Sequence, residues 1–216
     1  MAIVYGLVSR GSTVFCEYTT QSGNFQQITR NILQQFDTSG DGKHSYTYDD
    51  HIFHMIVDHG IIYLAMASAE FERRVAFVFL EDIKERFEDK YSEVVATAVA
   101  YEMNKTFTKV LQERMEFYNE NPEADKIRKV KGQVEEVKQV MTDTIDKILD
   151  RGDKIELLVD KSGELSEQAN KFKKSSAQLQ RRMWWNNFKL QAIMIGSGVI
   201  ILMLIVMGST KCFGHC

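Results

Sequence analysis

The centre of the chain reads IDKILDRGDKIELL at residues 145–158, with Arg151 in the middle of a repeating apolar pattern. Steps of three and four residues, taken in alternation away from Arg151, reach apolar or small residues on both sides. The positions reached are Ile127, Val130, Val134, Val137, Met141, Thr144, Ile148, Ile155, Leu158, Ser162, Leu165, Ala169, Phe172, Ser176 and Leu179. This 3.5-residue period is typical of a helix that winds around other helices. We therefore predict a long coiled-coil helix over residues 126–182 and call these positions the seam.

Arg151 is the unusual member of the seam. A guanidinium inside a helical bundle is costly unless partners accept its hydrogen bonds, and such a buried polar residue can fix register and oligomer state. The alternative is that the heptads are out of phase and Arg151 is a solvated surface residue. Because the pattern continues on both sides of Arg151, we favour the buried interpretation.

The seam is too dilute to be stable alone. Gly132, Gly152 and Gly163 each cost a helix interior about 1 kcal/mol. We therefore expect the isolated segment to be largely disordered until partner helices bury its apolar face.

Residues 190–207 form an uncharged, mostly apolar run. At about 1.5 Å per residue it is just long enough to cross a thin bilayer, so we predict a transmembrane helix. A buried core helix is the alternative, but only residues 208–216 follow that could cover it. The residues before the span are basic and aromatic, as expected of a cytosolic membrane interface: Arg181, Arg182, Trp184, Trp185 and Lys189. This basic run either binds anionic lipid or serves only to orient the span.

The flanks predict a single-pass, tail-anchored (type IV) protein with its N-terminal part in the cytosol. The first residues lack the features of a signal peptide, and a net charge of −3 does not favour nucleic-acid binding. Cys16 is expected to be a buried apolar residue. Cys212 and Cys216 could be paired or acylated, and the sequence does not decide between these states.

The first 120 residues predict a separate α+β domain. Alternating patterns indicate five strands at residues 3–9, 13–18, 45–48, 52–58 and 61–67. Helical patterns follow Asn24, a predicted N-cap, and cover residues 71–91 and 94–118. Pro122 marks a linker at residues 121–125. Five strands and three helices in this order predict a layered domain with its own core.

Two polar motifs resemble metal sites without meeting their requirements. The loop at residues 37–42 begins like a calcium loop, but Tyr48 occupies the position that requires a glutamate. His51, His54 and His59 lack the spacing of a ligand set. We predict no metal, no cofactor and, because no catalytic constellation is present, no enzymatic activity.

Four motifs together resemble a known family: RGDKIELLVDK at residues 151–161, FKKSS at 172–176, RMWW at 182–185 and EFERRVAF at 70–77. They are similar to those of the longin-type synaptobrevins, the vesicle-associated membrane proteins known as R-SNAREs. Within that family the chain looks most like the tetanus-insensitive branch of endolysosomes and the cell surface. The resemblance covers essentially the whole chain.

The resemblance implies a profilin-like longin domain with a five-stranded antiparallel sheet at residues 1–120. It also implies an R-SNARE motif at 126–182, a juxtamembrane stretch at 183–189, the span at 190–207 and a short lumenal or extracellular tail at 208–216. Arg151 would be the zero-layer arginine that meets three glutamines from syntaxin-type and SNAP-type Q-SNARE helices. The location implied is transport vesicles, late endosomes or lysosomes and the plasma membrane.

The resemblance further implies that the longin domain binds trafficking adaptors and its own SNARE segment in an apolar groove. By position, Ile28, Ile32 and Tyr46 are the candidates for that groove. His44 stands where the family tends to have a hydrophobic residue.

Three functions compete. The first is a vesicle R-SNARE that drives membrane fusion in a four-helix bundle, with the longin domain regulating assembly and targeting. The alternative is a tail-anchored coiled-coil tether or adaptor receptor without fusion activity, which has no need of a central arginine. The third, a membrane-anchored enzyme, requires a catalytic constellation that the sequence lacks.

Overall fold

Alternating apolar residues build a sheet from the first 68 residues and cover it with helices on both faces. The computed structural model describes residues 2–121, 140–149 and 155–160, all within one of the two compact units of the chain, Met1–Gln168. In chain order the elements are β1 (Ile3–Arg10), β2 (Thr13–Thr19), β3 (Ser22–Gly23), α1 (Phe25–Gln35), β4 (Gly42–Tyr48), β5 (His51–Asp58), β6 (Ile61–Ser68), α2 (Arg73–Tyr91), α3 (Asn104–Glu120), β7 (Val140–Thr144), a 3₁₀ turn (Ile145–Lys147) and β8 (Val159–Asp160).

The main sheet has the strand order β2-β1-β6-β5-β4-β7. Its first five strands pair antiparallel. Three of the four pairs are hairpins joined by short turns, and the fourth joins β1 to β6. The sixth, β7, comes from the predicted coiled-coil region and pairs in parallel with β4. The predicted five-stranded antiparallel sheet is therefore wrong in strand number and direction: the sheet is mixed and six-stranded. A second, two-stranded pairing joins β3 to β8.

Apolar side chains on both faces of the sheet form two cores, because successive residues of a strand point to opposite sides. One core lies under α2 and α3 and includes Phe79, Phe87 and Phe107. The other lies under α1 and includes Ile28 and Ile32. The sheet is thus the middle layer of the domain.

The third helix begins later than the sequence predicts, at Asn104 rather than near residue 94. Arg10 explains the difference. Its guanidinium donates hydrogen bonds to the carbonyl oxygens of Ala96 at 2.6 Å and Ala98 at 3.4 Å, and also to that of Val95. These hydrogen bonds from the last residue of β1 hold the carbonyl groups in turns. The carbonyl oxygens are then not available for the backbone hydrogen bonds of a helix.

Asn24 precedes α1, as predicted, but its side chain makes no capping hydrogen bond to the helix. Instead it binds the backbone of residues 156 and 158. The capping prediction failed because a distant segment competes for the same amide group.

The predicted coiled-coil helix is only partly within the described residues. There, residues 140–144 form a strand, residues 145–147 a 3₁₀ turn, and residues 155–158 an irregular stretch that leads into β8. Without partner helices, this segment buries part of its apolar residues on the domain, and only residues 140–144 adopt the conformation of the main sheet. No helix within residues 2–121, 140–149 and 155–160 has the length and apolar character to cross a membrane. The predicted span at 190–207 lies outside those residues.

Candidate functional site

A groove between α1 and β4 holds residues from the predicted coiled coil. We call residues 140–149 and 155–160 the docked segment. Its most deeply buried side chains are Ile145, fully buried, and Leu149, 2% exposed. Both belong to the core under α1, together with Ile28, Ile32 and Tyr46. The three residues predicted for the groove therefore lie in the same apolar cluster as the residues that dock.

The floor of the groove follows from the amphipathic pattern of α1. Ile28 and Ile32 are four residues apart, so they share one face of the helix, and both are at most 1% exposed. Full burial of an aliphatic side chain is worth about 1.5–3 kcal/mol. Ile145 and Leu149 gain a stabilisation of that order, which offsets part of the cost of ordering the segment, about 1–2 kcal/mol per residue. Docking is therefore a balance that a competing partner can shift.

Backbone pairing along β4 is the second contact. Residues 43–47 of β4 face residues 140–144 of β7 in parallel register, with His44 opposite Met141 and Ser45 opposite Thr142. Without β7, this edge of the sheet would expose a row of unpaired N–H and C=O groups. The docked segment thus completes the sheet as well as filling the groove.

The far end of the docked segment is held by polar contacts. The Asn24 amide nitrogen donates to the carbonyl oxygen of Glu156 at 2.8 Å, and its amide oxygen accepts from the N–H of Leu158 at 2.9 Å. The Tyr48 hydroxyl donates to the carbonyl oxygen of Ile155. Gly23 pairs with Val159, where a Cβ would collide with the Leu158 carbonyl and the Phe25 ring. Only glycine fits this close approach.

His44 forms part of the aromatic wall of the groove. Its ring stacks on Tyr46 at 6.2 Å between centroids and meets Phe36 edge-on at 5.2 Å. Burial lowers the pKa of His44, which favours the neutral ring at this position. A neutral imidazole can therefore fill the place of the hydrophobic residue that the resemblance leads one to expect.

Tyr46 and Asp143 lie opposite each other on the paired strands β4 and β7. Burial raises the pKa of Tyr46, and the nearby Asp143 carboxylate raises it further. The pKa of Asp143 is lowered, chiefly by its bond with Lys147, whose amino group lies 2.8 Å away. Lys147 therefore neutralises an acidic residue beside the Tyr46 hydroxyl.

The docked segment buries mainly apolar residues that are not part of the seam. Its off-seam apolar residues all pack against the domain, and they are Val140, Ile145, Leu149, Leu157 and Val159. The seam residues Met141 and Leu158 remain 65% and 58% exposed. Ile148 and Ile155, also in the seam, are partly buried against the core under α1. The segment thus has two apolar faces, an off-seam face that packs on the domain and a seam face of which Met141 and Leu158 stay exposed.

Sequence reasoning missed Ile145, Leu149, Asn24 and Tyr48 as groove contacts. A signal was present for the first two, because they are large apolar residues, four apart, outside the seam. Such residues need a second burial surface. Nothing in the local sequence marks Asn24 or Tyr48, whose partners are more than 100 residues away.

Other predicted site residues lie outside the described parts of the chain. They are Arg151, the seam residues Ile127, Val130, Val134, Val137, Ser162, Leu165, Ala169, Phe172, Ser176 and Leu179, and the membrane-interface residues Arg181, Arg182, Trp184, Trp185 and Lys189.

Asp41, Asp58 and His59 approach one another closely enough to suggest a metal site. Their hydrogen bonds account for the cluster. Asp58 accepts from Lys84 and lies 2.5 Å from His59 Nδ1, while Asp41 accepts from the backbone N–H of His59 at 2.8 Å. The ammonium of Lys84 already balances the charge of the Asp58 carboxylate.

Comparison with known proteins gives the groove its context. The synaptobrevin family model matches residues 126–206, and the longin family model, described as a regulated-SNARE-like domain, matches residues 15–111. Vesicle-associated membrane protein 7B of Dictyostelium discoideum is 42% identical over 208 residues, covering 96% of this chain and 80% of the relative. Vesicle-associated membrane protein 711 of Arabidopsis thaliana is 40% identical, covering 90% of this chain and 89% of the relative.

The chain belongs to the longin-type R-SNAREs. It is an R-SNARE of vesicle trafficking and membrane fusion, and this family consists of non-enzymatic fusion proteins. The groove is accordingly a surface of the longin domain, and the docked segment lies within the range matched by the synaptobrevin model. The predictions of family, function and absence of enzymatic activity are confirmed.

Proposed function

We propose that this R-SNARE controls fusion by moving its docked segment between the longin groove and a four-helix bundle with three Q-SNARE helices. The observation that carries the proposal is the strand Val140–Thr144. Met141 and Thr144 are seam residues, and in a bundle they must be helical. One segment cannot be a strand and a helix at once, so docking and bundle assembly exclude each other.

The two apolar faces of the segment support this exchange. Ile145 and Leu149 are buried in the groove, whereas Met141 and Leu158 are largely exposed. Groove residues can therefore be changed while the seam keeps its apolar character. This makes the two states separable by mutation.

Assembly starts, in this proposal, at the seam residues that precede the docked segment, from Ile127 to Val137. Each helical layer added there brings the partner helices closer to β7. Bundle formation then releases Ile145 and Leu149 from the groove, because the longer seam buries more apolar surface than docking does. Arg151 occupies the central layer and donates to three glutamines, which fixes the register.

The finer features belong to the same proposal. Syntaxin-type and SNAP-type helices supply the three glutamines, and trafficking adaptors bind the longin domain. Residues 190–207 anchor the chain in the membrane, with its N-terminal part in the cytosol and residues 208–216 on the other side. Transport vesicles, late endosomes or lysosomes and the plasma membrane are the expected locations.

The test is lipid mixing between vesicles that carry the full chain and vesicles that carry sets of three Q-type helices. Joint replacement Ile145→Ser and Leu149→Ser should speed assembly, because the docked state is lost. Arg151→Ala should weaken the complex or shift its register. If no set of Q helices gives assembly and the chain only self-associates, the tether alternative replaces fusion.

A further inference from the structure

A contact between α2 and β7 joins the longin domain to the docked segment outside the groove. Arg73, the first residue of α2, donates from Nη1 to the Thr142 hydroxyl oxygen at 3.1 Å. Both residues are exposed. Because Thr142 lies two residues after Val140, which packs on the core under α2, it points to the same face of the sheet. Arg73 therefore reaches across the sheet surface to the added strand.

The contact with Thr142 uses only a small part of the hydrogen-bonding capacity of the Arg73 guanidinium. Within residues 2–121, 140–149 and 155–160, no carboxylate lies within ion-pair distance of it; the neighbouring Arg74 lies 3.8 Å from Glu72. A neutral hydroxyl takes one of its five donors. The ligand that matches a guanidinium fork is an oxyanion, bound through two parallel charge-assisted hydrogen bonds.

Thr142 is placed where an added anion would affect docking without entering the bundle core. It follows the seam residue Met141 and is not itself a seam position. Its strand is extended and lies at the edge of the sheet, an arrangement that leaves the side chain accessible. Asp143, the nearest acidic residue in sequence, faces the opposite side and pairs with Lys147, which limits repulsion of a new anion.

We propose that Thr142 is a phosphorylation site and that its phosphate binds Arg73, which locks the docked segment onto the longin domain. The inference rests on the proposed exchange between groove and bundle. A phosphate adds a charge of about −1.5 to −2 and three acceptor oxygens. In the docked state these oxygens meet the Arg73 fork, whereas in a helical bundle they would lie outside the core and gain nothing.

The modification is an ordinary phosphoryl transfer from a nucleoside triphosphate, catalysed by a protein kinase. The Thr142 hydroxyl oxygen attacks the γ-phosphorus, and an O–P bond forms as the bond to the β–γ bridging oxygen breaks. The nucleoside diphosphate leaves with the electron pair of that bond. The hydroxyl proton passes to a base of the kinase.

The test uses the full chain in detergent, with phosphothreonine installed at position 142 during synthesis of the protein. Hydrogen exchange of residues 140–149 should slow by about tenfold relative to the unmodified chain, as expected of new charge-assisted hydrogen bonds. Arg73→Gln should remove this gain, and Arg73→Lys should keep only part of it, since lysine lacks the fork. Arg73 is exposed, so neither variant is expected to unfold the domain.

Phosphothreonine at Thr144 is the matched control. Thr144 is exposed on the same face of the same strand, and its phosphate should not slow exchange in an Arg73-dependent way. Equal slowing at both positions, or slowing that survives Arg73→Gln, would overturn the Arg73 lock.

Two further outcomes separate the lock from the docking that underlies it. If residues 140–149 of the unmodified chain exchange like a free peptide, the proposed docking function fails. If they are protected but indifferent to the phosphate, the lock alone fails. Mass spectrometry of the chain isolated from its own cells should detect phosphate on Thr142, and a fully covered but unmodified peptide would overturn the assignment of the site.

Discussion

The outer strands β2 and β4 of the longin domain's own sheet are both covered, but by different kinds of partner. The domain itself covers β2. The Glu17 N–H donates to the Asn104 side-chain oxygen at 3.2 Å, the Thr108 hydroxyl donates to the Glu17 carbonyl at 3.3 Å, and the Tyr101 N–H donates to the Val14 carbonyl at 2.8 Å. These partners all come from α3 and the turn before it.

The edge at β4 is covered by β7, which belongs to the R-SNARE segment. An exposed edge strand invites pairing with another chain, so both edges need cover. The β2 edge is closed by the longin domain's own α3 and the turn before it, which are not part of the docked segment. In the proposed function the β4 edge is closed by residues that the bundle also requires, which makes its cover removable. The difference predicts that the two edges respond separately to mutation.

The largest effect is expected when the groove contacts of the docked segment are removed. Ile145→Ser with Leu149→Ser should cost docking about 2–5 kcal/mol for each buried side chain, by analogy with large-to-small core substitutions. Hydrogen exchange along β4 should then accelerate more than 100-fold, while exchange along β2 stays unchanged. Met141→Ser is the matched control, because Met141 lies on β7 but is 65% exposed. Equal acceleration in the control would mean that β7 docks through its seam.

A smaller effect is expected at the β2 edge. Asn104→Ala removes the acceptor for the Glu17 N–H. It also removes the nearer of the two acceptors that share the Thr108 hydroxyl proton, at 2.8 Å, and leaves the Glu17 carbonyl as the other. A part-buried donor left unpaired costs about 1–3 kcal/mol, so urea unfolding of the longin domain should shift by that amount. Docking of residues 140–149 should persist below the transition. Asn104→Asp keeps the oxygen acceptor and should recover most of the stability; a loss equal to that of alanine would contradict the edge role.

Local sequence patterns predicted the antiparallel strands of the longin domain well. Each of the five antiparallel strands lies within three residues of its predicted start, because alternation of apolar residues is a local signal that hairpin pairing reinforces. The start of α3 was missed because Arg10, some 85 residues away, binds the carbonyls that a longer helix would have used.

The contacts of the docked segment could not be predicted from periodicity alone. The heptads predict the helical state that we propose for the bundle, while the groove buries Ile145 and Leu149, which lie outside that pattern. A sequence with two burial surfaces carries two overlapping signals, and the stronger one, the seam, hides the other. The candidates Ile28, Ile32 and Tyr46 came from resemblance, and the buried cluster they share with Ile145 supports their proposed role.

Asn24 allows the two ends of the docked segment to be compared. Asn24→Ala removes the bonds to Glu156 and Leu158, at a cost of about 1 kcal/mol for exposed hydrogen bonds. Exchange at residues 155–160 should rise about fivefold, while residues 140–149 remain protected. Because Asn24 makes no capping bond to α1, exchange within residues 25–35 should not change. Loss of protection in α1 would show that Asn24 acts as a helix cap after all.

The smallest effect concerns pH and the wall of the groove. The pKa of His44 is lowered by burial, so folding around it favours the neutral ring. The stability this ring contributes is present above its ordinary pKa, about 6.5, and declines as pH falls below that value. Docking should therefore weaken on acidification. It is measured as hydrogen exchange of residues 140–149, corrected for the change of the intrinsic exchange rate with pH. His44→Phe should make docking less dependent on pH.

His54 provides the contrast that makes this measurement specific. Burial first, and then the nearby Arg73 charge, lower its pKa to about 4, and its Nδ1 lies 2.8 Å from the Ser45 hydroxyl. Its protonation should destabilise the longin domain as a whole between about pH 6.5 and pH 4, with loss of protection in β5 as well as β7. A pH response confined to residues 140–149 and abolished by His44→Phe comes from the docking of β7 on β4. A response shared with residues 51–58 and unaffected by that variant comes from the longin domain as a whole. That outcome would show that His44 has no role in docking.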